Sequence, residues 1–299
     1  MSKHMDRRKF IRTGVAGVTG ISVASSGLAN LGALFPPDIT VDKVKLGDTG
    51  LIVSRIAMGT GTHGYNKSSD LTRLGMDNFV KLAHHAYERG ITFFDMADGY
   101  GSMPFVAEAI KGIPREKVTL LSKIWTYEDG DERVVPISET LDRFRKEMNT
   151  DYFDIMLLHC LSAGNWSRTR KSYVDGLSKA KQDGIVKKVG VSCHNWDALV
   201  EAVESPWTDV IMARINPFQS KMDGTPEAIG ELLGKAKANG KGVIGMKIFG
   251  EGSHVKDEER ERSFKFVLSD GNIHCMTLGT ISTDQLDDAV NRVMRIVQG

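Results

Sequence analysis

The sequence predicts an α/β protein, a (β/α)8 TIM barrel with a short N-terminal β-hairpin closing its bottom. Three observations carry this expectation. From residue 41 onward, eight short apolar runs alternate with eight helical patterns. The runs are continuous and not alternately polar, as strands buried on both faces require. The repeat occupies roughly 250 residues without a Pro- or Ser-rich linker, the length such a barrel needs.

Residues 41–46 and 51–53 flank Gly47-Asp48-Thr49-Gly50, a turn-rich tetrapeptide that predicts the hairpin. Strands are expected at 55–60, 91–97, 118–124, 153–160, 186–193, 209–216, 242–249 and 274–280. Helices are expected at 71–89, 103–111, 136–148, 168–183, 195–204, 226–239, 257–269 and 283–297. Asp70, Pro136, Asn195, Pro226 and Thr283 are suited to start helices. Gly90, Gly112, Gly184 and Gly240 fall where helices should stop. An open doubly wound sheet is the structural alternative, but it rarely needs eight regular units, and no Rossmann-type site is expected.

Charge divides the chain. The 299 residues hold 39 Lys and Arg against 38 Asp and Glu, which leaves no electrostatic footprint for nucleic acid. Three cysteines in separate apolar segments make no stapled framework. Residues 1–37, however, carry Lys3, Arg7, Arg8, Lys9 and Arg12 against Asp6 alone, which leaves 34 basic against 37 acidic residues in the remainder. A mildly acidic barrel domain, 38–299, is therefore expected behind a basic N-terminal segment.

That segment has the layout of an export signal: charges first, then an uncharged stretch from Gly14 to Phe35. Asp6-Arg7-Arg8-Lys9-Phe10-Ile11 resembles the twin-arginine export motif, which implies the twin-arginine export machinery as a partner and a periplasmic or otherwise exported location. Five glycines and three serines dilute the apolar stretch, so no stable membrane span is expected. A cut after Ala29 would follow Gly27-Leu28-Ala29.

Barrel enzymes place their chemistry at the carboxyl ends of the strands. There the second strand ends at Asp95 and leads to Tyr100, the third carries Lys123, and the fourth carries His159. A phenol, with its ordinary pKa near 10, exchanges protons poorly at neutral pH. An ammonium at Lys123 would lower the pKa of Tyr100, and Asp95 would hold that ammonium. A neutral His159 could donate a hydrogen bond to a substrate carbonyl. This is the acid–base half of a carbonyl reduction, and the hydride needs a cofactor. Separately, each residue has a structural explanation, such as an ion pair for Lys123 with Asp95.

Asp95-Met-Ala-Asp-Gly-Tyr100-Gly101, Ser122-Lys123-Ile-Trp125 and Asp154-Ile-Met-Leu-Leu-His159 resemble the tetrad motifs of the aldo-keto reductases. The similarity extends to Leu46–Leu51, to Met58-Gly59-Thr60 and to Gly184-Ile-Val-Lys-Lys-Val-Gly190-Val-Ser192. The resemblance spans about residues 41–290. It implies NADP- or NAD-dependent interconversion of a carbonyl and an alcohol, with Tyr100 as general acid, Lys123 and Asp95 tuning it, and His159 orienting the carbonyl.

The resemblance also implies cofactor contacts at Gly59, Thr60 and Ser192, the last at the nicotinamide carboxamide. Here the usual following Asn is Cys193 and the usual Gln is Met212. Lys247, Phe249 and Gly250 align with the segment that meets the nicotinamide and pyrophosphate. Leu278-Gly279-Thr280 occupies the place of a Pro-Lys-Ser that often meets the adenosine 2′-phosphate, and Gln285 that of an Arg; the loss of both cations weakens the case for NADPH over NADH.

His63, Tyr65, Trp125 and Trp166 are expected to line the substrate pocket. The chain ends soon after its last helix, so an open mouth is expected, admitting a polar or sugar-like carbonyl. His159-Cys160 and Cys193-His194 stand at the ends of two expected strands and offer zinc-ligating residue types, but no regular ligand spacing supports a metal site. The functional alternatives are a non-catalytic nucleotide-binding barrel, as sensor or partner subunit, and a hydrolase that would need a second carboxylate.

Overall fold

The computed structural model describes residues 39–269 and 272–299. The export segment expected at 1–37 lies outside the described residues. The hairpin forms as its turn predicts: β1 (Lys43–Lys45) pairs antiparallel with β2 (Ile52–Ser54). Gly47 turns at φ +55, and a Cβ there would lie 2.6 Å from the backbone of Gly240 and Lys241. Only glycine allows this approach. Leu46 and Val53 enter the barrel interior, Leu46 against Gly242 at the start of a strand, so the hairpin seals the amino end.

Eight parallel strands close the barrel: β3 (Ile56–Gly59), β4 (Phe93–Asp95), β5 (Thr119–Trp125), β6 (Phe153–Leu161), β7 (Val186–Cys193), β8 (Val210–Arg214), β9 (Gly242–Met246) and β10 (Cys275–Leu278). Each pairs with its neighbours in chain order, and β10 returns to β3. The continuous apolar runs follow from two buried faces. Along β6, Ile155 and Leu157 fill the barrel interior while Met156 and Leu158 pack against the helices. Each such burial contributes about 1.5–3 kcal/mol. Several runs expected as strands continue beyond the ladder; residues 96–97 and 247–249 instead turn across the mouth, where they can carry chemistry.

The helices are α1 (Met76–Glu88), α2 (Met103–Ala109), α3 (Ile137–Met148), α4 (Trp166–Thr169), α5 (Lys171–Gln182), α6 (Trp196–Glu204), α7 (Pro226–Ala238), α8 (Asp257–Ser269) and α9 (Thr283–Gln298). Gly184, at φ +75, ends α5 as expected: its N–H donates to Lys181 O at 3.2 Å and that of Ile185 to Ala180 O at 2.9 Å. Asn195 caps α6 by accepting from Ala198 N at 3.1 Å. Two expected caps are corrected. Asp70 does not start α1, because its carboxylate is taken by His63 and Arg73 and the helix opens at Met76. Ser282, not Thr283, caps α9 by accepting from Gln285 N at 3.3 Å. Among the described residues, no helix is long and apolar enough to cross a membrane.

Candidate active site

The carboxyl ends of β4, β5 and β6 bring the four expected residues together. Asp95 ends β4, and the chain runs through a 3-10 turn, Asp98–Tyr100, that lifts Tyr100 over the mouth. Lys123 rises from β5 with a relative exposure of 1%, its ammonium on the Asp95 carboxylate and 2.9 Å from Met96 O. It also lies 5.0 Å from the centre of the Tyr100 ring. His159 Nε2 stands 3.2 Å from Tyr100 Oη, the two rings edge to face at 5.5 Å.

The electrostatics correct one expectation. Burial raises the Tyr100 pKa above its ordinary 10.0, and Lys123 lowers it only in part while the Asp95 charge raises it again. The hydroxyl is therefore held as phenol, the form that donates a proton. Burial opposes the Lys123 charge, but Asp95 and Tyr100 outweigh it and hold the ammonium above its ordinary 10.5. Burial, reinforced by Lys123, keeps His159 well below 6.5 and hence neutral.

Several supporting residues carry no signal in the sequence. Thr277 of β10 donates to Asp95 Oδ2 at 2.8 Å, across the closure of the barrel. A Cβ on Gly61 or Gly64 would fall 2.1 or 2.4 Å from the Tyr100 ring, so both glycines make room for it. Gly59, Gly61 and Gly64 have the spacing of a dinucleotide-binding turn after a strand. No α-helix opens there; the loop seats Tyr100 instead.

A cavity of about 200 Å³ opens beside Tyr100 and Lys123. Of the expected cofactor residues, Gly59, Met212, Lys247 and Phe249 line it. Thr60 is buried behind it, donating from Oγ1 to Asp95 O at 2.8 Å. Ser192 is buried and accepts from Cys160 N at 3.4 Å. Gly250 turns at φ +57 against Ser220, outside the cavity lining. Thr280 lies near Ile56 and Leu286, also away from it. Cys193 is corrected outright: it packs in the cluster between barrel and helices, facing away from the mouth. Gln285 is also tied elsewhere, its Oε1 accepting from Ile281 N at 3.0 Å.

The expected substrate residues divide as well. Trp125 is 50% exposed and meets His159 edge to face at 5.6 Å, beside the four clustered residues. His63 Nδ1 pairs with Asp70 at 2.9 Å, and Tyr65 is 82% exposed; neither lines the cavity, which Gly61 and Thr62 reach instead. Trp166 is corrected: it is fully buried, its Nε1 donating to Ala198 O at 3.2 Å, with Trp207 tilted against it. Its indole packs α4 onto α6 and faces no pocket. Cys160 Sγ and His194 Nδ1 meet at 2.8 Å, but among the described residues no group of three ligands could hold a metal ion. All three cysteines are free.

The residues present suit a nicotinamide dinucleotide. Met212, Met246, Ile248 and Phe249 offer apolar walls for a flat ring, and Lys247 adds a cation suited to phosphate. Lys247 adopts φ +54 and in this structure pairs with Glu251 Oε1 at 2.9 Å.

The aldo/keto reductase family model matches residues 55–295. A methylglyoxal reductase (DkgB) of Salmonella typhi is 25% identical, over 62% of this chain and 67% of its own. An NADH-specific methylglyoxal reductase of Escherichia coli K12 is 26% identical, over 66% of this chain and 64% of its own. The fold is also that of an aldo-keto reductase from Bacillus halodurans, at a TM-score of 0.66 and 20% identity over 85% of this chain and 91% of that one. With the barrel and the four clustered residues in place, this chain belongs to the aldo/keto reductase family of NAD(P)-dependent oxidoreductases.

Proposed function

We propose that the protein reduces the carbonyl of a small aldehyde or ketone to an alcohol, with Tyr100 supplying the proton. The observation that carries this reading is the contact of Tyr100 Oη with His159 Nε2 at 3.2 Å, backed by buried Lys123. A carbonyl oxygen placed between these two groups would receive a hydrogen bond from each. A bound reduced nicotinamide supplies hydride to the carbonyl carbon. As charge grows on the oxygen, neutral His159 stabilises it and the phenol proton transfers, leaving tyrosinate beside the Lys123 ammonium. Reversal of the same steps oxidises an alcohol.

The similarity to methylglyoxal reductases favours a small, reactive carbonyl, and the half-exposed Trp125 leaves room for a polar or sugar-like one. A non-catalytic nucleotide-binding barrel would leave the buried assembly of Lys123, Asp95 and Tyr100 without a role. The export reading is supported by Arg7-Arg8 and by the uncharged stretch from Gly14 to Phe35. On it, the twin-arginine machinery carries the folded protein, with cofactor bound, out of the cytoplasm.

The test is titration of the full chain with NADH and NADPH, followed by nicotinamide fluorescence, then turnover of methylglyoxal by native protein and Tyr100→Phe. Binding of neither nucleotide, or turnover unchanged in Tyr100→Phe, would sink the reading. For export, lysine substitution of Arg7 and Arg8 should trap the protein in the cytoplasm; unchanged fractionation would remove that part.

A further inference from the structure

One contact at the mouth has no part in the reduction described above. In β6, Leu158 pairs with Val191 and Leu161 with Cys193, with a register shift between them. His159 and Cys160 therefore stand together opposite Ser192 alone, a two-to-one bulge. The bulge has a consequence for direction. Leu158 and Leu161 both face the helices, although three residues apart in an unbroken strand they would face opposite ways. His159 faces the mouth by alternation with Ile155 and Leu157, and the extra residue turns Leu161 back onto the helix side, so the bulge fixes the backbone immediately beyond His159.

The bulge depends on Cys160, which adopts φ +59. An L residue with a side chain resists this left-handed region, and Gly, Asn or Asp usually occupy it. Three contacts hold Cys160 and its neighbour there. Cys160 N–H donates to Ser192 Oγ at 3.4 Å, His194 N–H donates to Leu161 O at 2.8 Å, and Cys160 Sγ meets His194 Nδ1 at 2.8 Å. Burial raises the Cys160 thiol, and burial with Lys247 and Arg214 lowers His194 to about 3. Both partners are thus neutral, the thiol donates to Nδ1, and the ring proton resides on Nε2.

We propose that Cys160 and His194 are positioning residues: their thiol–imidazole contact clamps the β6 bulge adjoining His159 and so fixes the height of the imidazole against Tyr100. The clamp acts through His159 and touches no reacting atom. It rests on the carbonyl-reductase reading of the site.

The test compares full-length native protein with Cys160→Ala, Cys160→Gly, Cys160→Ser, His194→Ala and His194→Asn. Alanine at either position removes the contact, and glycine relaxes the backbone while removing it. Serine keeps a donor at 160, and asparagine keeps an acceptor near the place of Nδ1. The alanine variants should lose about 10- to 100-fold in kcat/KM for methylglyoxal, mostly in kcat, and Cys160→Gly less than Cys160→Ala, because glycine accepts φ +59 without the contact. Their NADH Kd should stay within about twofold, because the clamp governs His159 and not the cavity walls. Cys160→Ser and His194→Asn should recover most of the loss, and the double alanine variant should be no worse than either single one.

Native kcat in both alanine variants, while Tyr100→Phe is inactive, would overturn the clamp and leave the reductase reading intact. An active Tyr100→Phe would overturn both. If an alanine variant fails to fold, His194→Leu, which fills the space without an acceptor, is compared with His194→Asn: equal activities would refute the clamp.

Discussion

Thr277 and Asp95 are 182 residues apart in sequence and share a hydrogen bond of 2.8 Å between Oγ1 and Oδ2. The bond joins the last strand of the barrel to the carboxylate that holds Lys123, so closing the barrel also fixes the ammonium beneath Tyr100. Removing the hydroxyl should cost both stability and rate. Thr277→Val is expected to lose about 1 kcal/mol, one buried hydrogen bond. Its melting temperature should fall by about 2–4 °C, with a several-fold drop in kcat. A calorimetric melt matching native protein would remove Thr277 from the site.

The Tyr100 ring occupies space that Gly61 and Gly64 leave open, with a Cβ on either falling 2.1 or 2.4 Å from it. Gly61→Ala should therefore displace the ring, not unfold the barrel. The expected result is about a hundredfold loss in kcat, with about 1–3 kcal/mol of destabilisation. Steady-state kinetics beside a denaturant melt separates the two effects.

His159 is held neutral well below 6.5, and Tyr100 is held as phenol above its ordinary 10.0. Carbonyl reduction should therefore be flat in kcat/KM between about pH 6 and 9. Alcohol oxidation, which needs the tyrosinate, should rise with pH across that range. A limb near 6.5 in the reductive profile would contradict the neutral His159.

Tyr100 together with Lys123 predicts a loss of stability in alkali. Lys123 and Tyr100 both bind their protons more tightly folded than unfolded. Their contribution is complete below the unfolded values near 10 and is lost as pH rises through the folded ones. The melting temperature should hold through neutral pH and fall above about pH 10. Lys123→Met should remove part of this alkaline slope, and an unchanged slope would contradict the assignment.

Gln285 is committed to Ile281 N, and neither it nor Thr280 brings a cation to the place where the family resemblance puts the adenosine 2′-phosphate. NADH is expected to bind at least as tightly as NADPH. Gln285→Arg should shift the ratio of the two Kd values toward NADPH by about tenfold, the scale of one charge-assisted hydrogen bond. Fluorescence titration of both nucleotides measures that ratio.

Much of this was legible along the chain because its causes are local. Continuous apolar runs mark strands buried on two faces, and Gly184 and Asn195 end and start helices through bonds spanning three to five positions. The order Asp95, Tyr100, Lys123, His159 follows from where successive strands end. The remainder depends on what lies across the barrel. Trp166 and Cys193 occupy positions that local pattern assigns to the mouth, yet helix packing turns both inward. Gly59, Gly61 and Gly64 have a phosphate-binding spacing, but Tyr100 fills the space at Gly61 and Gly64, and Thr277 and Leu278 that at Gly59.

The sequence by itself determined the eight-fold alternation, the strand ends and the four residue types that meet there, since each depends on periodicity and chain order. Only the tertiary structure decided the protonation state of the site. Burial outweighs the Lys123 ammonium at Tyr100, because the Asp95 charge that holds the ammonium cancels part of its field. Tertiary structure also decided the bulge at Cys160, since register belongs to a pair of strands and not to either one.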